Sequence, residues 1–231
     1  MSYLRPTGRL APNPADLAYG RLELAALEYG ASQGRIILLY EDETVLWRFA
    51  LPRRGWWRRS HRYRLPLRPL SRYQLNTQER LKRQVWQQHR SWSRIRSGVL
   101  LHVIGAVPYG TSRVIYKVVP HFDAIEYRQY IHQVMSVFGA SGKKVVMVTD
   151  RSGIHRAHKL DSTLTHYQDR FELHFLPARS GHHLNPIEGF WRRMKEGIGA
   201  GRGFETLHQL YQRTRQVLFA HHQRPIYEFS W

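Results

Sequence analysis

Two of the chain's six aspartates stand at the ends of apolar runs. Asp42 comes after Ile36-Ile37-Leu38-Leu39-Tyr40, and Asp150 after Val145-Val146-Met147-Val148-Thr149. An acid at the end of a buried strand faces the crevice where α/β folds bind ligands. Two carboxylates there repel each other unless a cation lies between them, and hard divalent ions with oxygen ligands fill that role. Taken singly, each Asp fits equally well as the cap of the turn that follows. A third acid lies in His182-His183-Leu184-Asn185-Pro186-Ile187-Glu188. Asn185 suits an N-cap, Pro186 the first helical position and Glu188 the third, which is a capping-box arrangement. The same carboxylate, in the first turn of a helix starting over the crevice, would equally serve as a third metal ligand. Local sequence leaves both roles open.

The nearby histidines do not form a zinc pattern. No His pair at helical spacing with an adjacent Glu is present around His155, His182 and His183, and the last two are neighbours in an expected loop. They read as phosphate-facing or solvated. Glu41 and Glu43 flank Asp42 and, in strand geometry, point to the opposite face, where they could at most support the metal ligands from behind.

The elements that must position these acids alternate. Asn13-Pro14 opens a helix expected to run to about Tyr29, before Gly30. Strands are expected at 35–40, 98–107, 113–119, 144–149 and 171–176, with Pro108-Tyr109-Gly110 as a turn. Helices are expected at 124–138, 155–170, 185–197 and 204–222, the last carrying Phe204, Leu207, Tyr211, Thr214 and Leu218 on one face. Three strands in a meander followed by helix-alternating strands imply a mixed sheet flanked by helices. This is the element order of the ribonuclease H-like fold, one of several α/β arrangements the pattern allows.

Charge is concentrated between the first two strands. The chain of 231 residues carries 36 Lys+Arg against 17 acids, a net +19, and no cysteine. Fourteen of those cations and a single acid, Glu79, fall within residues 51–97. This insert also holds Trp56, Trp57, Trp86 and Trp92. Arg forks match phosphate oxygens, and aromatic faces accept bases or sugars, so the segment reads as a nucleic-acid surface rather than a solubilising loop. Its expected DNA contacts are Arg53, Arg54, Trp56, Trp57, Arg58, Arg59, Arg62 and Arg64. Lack of cysteine excludes disulfide scaffolds, cysteine zinc sites and thiol nucleophiles. The first residues have no apolar signal-peptide region, and no apolar run approaches the ~20 residues of a membrane span.

Three blocks together resemble the signatures of DDE transposases, specifically the mariner superfamily and its bacterial insertion-sequence branch. They are Tyr40-Glu41-Asp42-Glu43; Val148-Thr149-Asp150 with His155 five positions on; and Phe175-Leu176-Pro177 followed by Leu184-Asn185-Pro186-Ile187-Glu188. Gly55-Trp56-Trp57-Arg58 is similar to the family's Gly-Trp segment, which belongs to a clamp loop reaching the partner subunit. The resemblance spans roughly residues 17–197. It implies a ribonuclease H-like five-stranded mixed sheet with a basic clamp-like insert, and a lead-in helix over 1–34 ahead of a catalytic domain over 35–231. It further implies that Asp42, Asp150 and Glu188 hold two Mg2+ or Mn2+ ions for strand cleavage at transposon ends and joining into target DNA. Arg151, His155, Arg179, His183, Arg192 and Lys195 would add DNA contacts.

The implied partners are double-stranded DNA, a second copy of the chain on paired ends, and a separately encoded helix-turn-helix polypeptide, because no such module precedes residue 17. The implied location is the bacterial cytoplasm, at the nucleoid. Two departures stand out. Arg151 replaces the family's usual Asn, where a guanidinium either holds phosphate or opposes metal binding. The usual Leu-Pro-Pro-Tyr-Ser-Pro block reads Leu176-Pro177-Ala178-Arg179-Ser180-Gly181. A catalytically weak DNA-binding protein, or a nuclease without strand transfer, are the alternative readings.

Overall fold

The computed structural model describes residues 12–48, 100–119, 121–199, 203–204 and 206–223. The basic insert lies outside them, and with it the expected contacts Arg53, Arg54, Trp56, Trp57, Arg58, Arg59, Arg62 and Arg64.

Helix α1 (Pro14–Ser32) begins at Asn13, whose side chain accepts from the Ala15 amide at 3.0 Å. It runs through Gly30 instead of stopping before it, because the left-handed residue that ends it is Gly34 (φ 67°), where Arg35 N closes on Gly30 O. Strand β1 (Ile36–Trp47) pairs antiparallel with β2 (Leu100–Pro108), and β2 with β3 (Ile115–Val119). A turn with Gly110 at φ 72° joins β2 to β3, as the Pro108-Tyr109-Gly110 sequence demands. Helix α2 (Ala124–Phe138) starts at Asp123, whose carboxylate takes the Ile125 and Glu126 amides. Then come β4 (Lys144–Thr149), parallel to β1, α3 (Asp161–Tyr167), and β5 (Phe171–Phe175), parallel to β4. Helices α4 (Gly181–Leu184), α5 (Ile187–Gly199) and α6 (Leu207–Gln223) complete the described chain.

The sheet order β3-β2-β1-β4-β5 places β1 at the centre. Period-2 alternation along β1 then sorts its side chains between two cores. Leu38, Tyr40 and Leu46 join α1, α5 and α6 on one face; Leu39 joins Tyr127, Tyr130, Ile131 and Val134 of α2 on the other. Asp42 is in phase with the first set, and Glu41 and Glu43 with the second.

Three expectations need correction. Strand β1 does not end at Tyr40 but continues through the acids to Trp47, because β2 pairs with it the whole way, Asp42 opposite Gly105 and Trp47 opposite Leu100. The helix expected over 155–170 is shorter: His155 is held in the loop before it, and only a 3-10 turn (His158–Leu160) and α3 follow. His182 and His183 sit in the short helix α4, not in a loop.

Gly105 matters for the site. A Cβ there would lie 2.5 Å from Cη2 of Trp191, a buried ring on α5. The glycine therefore lets α5 pack flat on the sheet directly beside Asp42. Because the atoms in the way belong to a buried, rigid indole, Gly105→Ala is expected to cost about 1–3 kcal/mol, the usual range for overpacking. Urea denaturation of the variant measures it. An unchanged midpoint would mean that α5 can shift away from the strand at no cost.

Candidate active site

Tyr40 of β1 pairs in register with Val148 of β4. The same offset brings Asp42 level with Asp150, the residue immediately after β4, on strands about 4.8 Å apart. Asp150 is fixed by a local turn: its carboxylate accepts from the Ser152 amide at 2.8 Å and from Nδ1 of His155 at 2.9 Å. Both bonds favour its charged form. They hold the Asp150 carboxyl below the usual range, the His155 bond contributing most.

Glu188 arrives from the other side of the sequence. The loop before α5 is tied to β1 by Asn185, whose Nδ2 donates to the Glu41 carbonyl at 2.7 Å. The Asn185 amide donates to Gly181 O at 2.6 Å. That amide is the group a capping-box Glu188 would bond, and it is already taken. The capping reading of Glu188 therefore loses its bond, and its exposed carboxylate raises the proton affinity of Asp42 instead. Burial, with Glu43, Glu188 and Asp150 around it, pushes Asp42 up to about 8. A carboxylate held this far from its ordinary value by burial, with like charges adding to it, is a group prepared for a cation. The donor set is all oxygen, which suits Mg2+ or Mn2+. The residues fit a divalent metal.

Seven residues on from Glu188 along α5, Lys195 is half-buried. Burial lowers its pKa, while Asp42 and Glu188 pull it the other way, so the ammonium faces the acids. Arg192 is exposed on the same helix. Arg151 is exposed, with its Nε donating to the Leu176 carbonyl at 3.1 Å, which anchors the guanidinium beside Asp150. Arg179 is exposed and takes a left-handed backbone (φ 65°) in the turn before α4. His183 is exposed too, its ring 3.9 Å from that of His182. These side chains remain accessible to a polyanion. His155 does not: its side chain is 0% exposed, so the expected DNA contact is wrong. The residue packs against Phe122 and Tyr127, and serves the site through Asp150.

On the α2 side of β1 lies a group that sequence reading assigned little. Glu41 is wholly buried and accepts from the Tyr127 hydroxyl at 3.2 Å. Glu43 is partly buried, and Nε2 of His155 lies 3.8 Å from Glu41 and 3.7 Å from Glu43. Burial pushes Glu41 and Glu43 each up to about 7. For His155 burial opposes the charge, but Glu41, Asp150 and Glu43 outweigh it and raise the ring to about 9. The one sequence signal was the alternation of Glu41 and Glu43 onto a common face; nothing local placed His155 between them.

These shifts give a sign for stability. Asp42, Glu41 and Glu43 hold protons in the folded state that the unfolded chain releases near pH 4. His155 does the same relative to an ordinary value of 6.5. Across these windows the folded state binds more protons, so stability is lost as pH rises toward 8–9. Asp150, with its lowered pKa, has the opposite sign, but its contribution is lost only in acid, below the ordinary carboxylate range. In chelator, the melting temperature is expected to fall by about 5 °C or more between pH 5.5 and 8.5. Added Mn2+ should remove much of that fall. A flat metal-free profile would show that the acids are not crowded.

The five-stranded mixed sheet, with helices on both faces, is the ribonuclease H-like fold. Residues 73–211, more than half of the chain, match the DDE superfamily endonuclease family, and the chain belongs to it. Asp150 and Glu188 fall inside the matched segment and Asp42 before it. The chain is similar in fold to the solved structure of the Mos1 transposase paired-end complex with left transposon end, at 15% identity and a TM-score of 0.51 over 96% of this chain and 68% of that one. It is likewise similar to the Mos1 mariner paired end complex with Mn, at 14% identity and a TM-score of 0.52 over 97% and 69%. No curated protein matches. Among the described residues no helix is long and apolar enough to cross a membrane.

Proposed function

We propose that this DDE superfamily endonuclease is the catalytic domain of a mariner-type DNA transposase of the bacterial insertion-sequence branch, in which Asp42, Asp150 and Glu188 hold two divalent ions, Mg2+ or Mn2+. The observation that supports this reading is the nearness of three sequence-distant acids: Asp42 in β1 is level with Asp150, the residue just past the parallel strand β4, and both Asp150 and Glu188, on a helix tied to β1, raise the pKa of Asp42. Bound divalent ions would polarise a phosphodiester and raise the nucleophilicity of water or of a DNA 3′-hydroxyl.

The chain's own groups do the rest. Asp150 is kept ionised and oriented by His155 and the Ser152 amide, so it presents a fixed ligand oxygen. Lys195 and Arg192, on the same helix as Glu188, supply positive charge for the DNA backbone. Arg151, Arg179 and His183 extend that surface around the mouth of the site. The insert over 51–97 adds most of the remaining positive charge and reaches a second copy of the chain on paired ends. Arg contacts to phosphates confer affinity with little sequence information, so a helix-turn-helix polypeptide supplies the choice of ends. The setting is the bacterial nucleoid.

The test separates transposase from nuclease. Purified protein is given supercoiled plasmid, and separately a duplex with a free 3′-hydroxyl plus target plasmid, each with Mg2+, Mn2+ or chelator. Metal-dependent nicking together with joining of the 3′-end is expected. Nicking without joining would support a nuclease alone. DNA binding without either would support a binding protein in which Arg151 opposes the metal.

A further inference from the structure

Glu41 and Glu43 take no part in the chemistry proposed above and His155 enters it only by holding Asp150, yet the three together leave polar atoms unsatisfied without an occupant. Glu41 and His155 are 0% and 1% exposed, and Glu41 Oε1, Glu43 Oε2 and His155 Nε2 have no hydrogen-bond partner. Burying such atoms unpaired is costly. The ring does not close the gap itself, since 3.7 and 3.8 Å exceed hydrogen-bond distance. One ligand atom from each residue falls within 4.8 Å of the other two. Ligand atoms around a bound ion sit about 3.0–3.4 Å apart when each bond is about 2.1 Å, so only small side-chain movements separate this cluster from coordination.

The other nitrogen of the ring supplies the second argument. Nδ1 of His155 faces the Asp150 carboxylate at 2.9 Å, the Asp150 carbonyl at 3.1 Å and the Thr149 hydroxyl at 2.9 Å. The two Asp150 groups accept only, and the hydroxyl can accept too, so the neutral ring keeps its proton on Nδ1 and leaves Nε2 to point at the two glutamates. Carboxylate, histidine and metal in this order is the usual way a protein fixes the tautomer of a ligating imidazole. Charge agrees as well: two carboxylates and a neutral imidazole balance one divalent ion, whereas an imidazolium leaves a buried negative charge.

We propose that Glu41, Glu43 and Nε2 of His155 form a binding site for a divalent transition-metal ion, best matched to Zn2+, on the opposite face of β1 from Asp42. Imidazole with two carboxylates favours Zn2+ over Mg2+. Through His155 the ion holds Asp150 in place from behind, so the site is positioning and touches no substrate.

The experiment uses the full chain carrying Asp42→Asn and Glu188→Gln, stripped with chelator, so that the all-oxygen site is disabled and the result is independent of cleavage. Equilibrium dialysis against Zn2+ with metal analysis is expected to give one tightly held ion per chain. Adding Glu43→Gln, a partly exposed and therefore well-tolerated change, should weaken it by at least ~10-fold. Exposed histidines such as His182 and His183 also take up zinc, but their affinity is indifferent to Glu43. Mn2+ bound in the same protein should show 14N coupling in electron spin-echo spectra, and Glu43→Gln should remove it. No stoichiometric Zn2+, an affinity unchanged by Glu43→Gln, or Mn2+ without nitrogen coupling would each overturn the site.

Discussion

Asp42→Asn and Asp150→Asn are each expected to lower metal-dependent DNA cleavage by at least ~10³-fold, since several kcal/mol of transition-state stabilisation rest on the ions they would hold. The same substitution at Asp42 should make the metal-free protein more stable. Asp42 is pushed up to about 8 by burial and by Glu43, Glu188 and Asp150, so near pH 8 its charge opposes folding, and a neutral amide removes that opposition. A higher melting temperature with lost cleavage is the mark of a functional group paid for in stability. Glu188→Gln should also lose activity by orders of magnitude. A capping residue would tolerate Gln, but the Asn185 amide already bonds to Gly181 O, and the exposed Glu188 side chain has no such duty. Plasmid nicking and thermal melts at pH 8 in chelator read both effects. Full activity in Glu188→Gln would remove that residue from the site.

Deleting residues 75–95 should leave the fold intact while abolishing paired-end DNA complexes. The strands that flank the insert meet: Trp47 and Leu100 pair across β1 and β2. Cross-strand neighbours lie about 5 Å apart, so the shortened connection still closes a hairpin, and loop closure depends only weakly on length. The deleted stretch contains Trp86, Trp92 and five of the chain's basic residues. Circular dichroism and melting temperature are expected to match the full chain, while gel-shift bands from two-ended complexes vanish. An unfolded deletion variant would mean that this stretch fills the chain's own core and does not reach a partner.

Parts of this site were legible because local chemistry and tertiary structure agree there. Strand β4 and helix α2 have the bounds expected, as Asp123 is a strong cap and Val145 to Thr149 an unbroken β-branched and apolar run. Asp150 stands immediately beyond β4, as its sequence implies. Asp42 is expected just past the end of the first strand, and it lies inside β1 instead. Three successive acids look like a strand terminus, and the ladder to β2 overrides that local preference. The fate of Glu188 depended on Gly181 O capturing the Asn185 amide, and that of His155 on Glu41 across the sheet. The first is a local bond that closes the short helix α4 where a loop is expected, and the second is a contact between segments that no periodicity encodes. The burial of His155 followed the same logic: a histidine five residues past a strand-end Asp reads as exposed until Phe122 and Tyr127 are seen to cover it.

The most direct measurement is the anomalous diffraction of a crystal of the protein soaked in Mn2+ at pH 7.5. Manganese is expected between Asp42 and Asp150 with the Glu188 carboxylate turned onto it, and that peak should be missing in Asp42→Asn. No manganese between Asp42 and Asp150, with Glu188 directed into solvent, would contradict the assignment of these three acids as the metal ligands, whether or not the Glu41, Glu43 and His155 cluster is occupied.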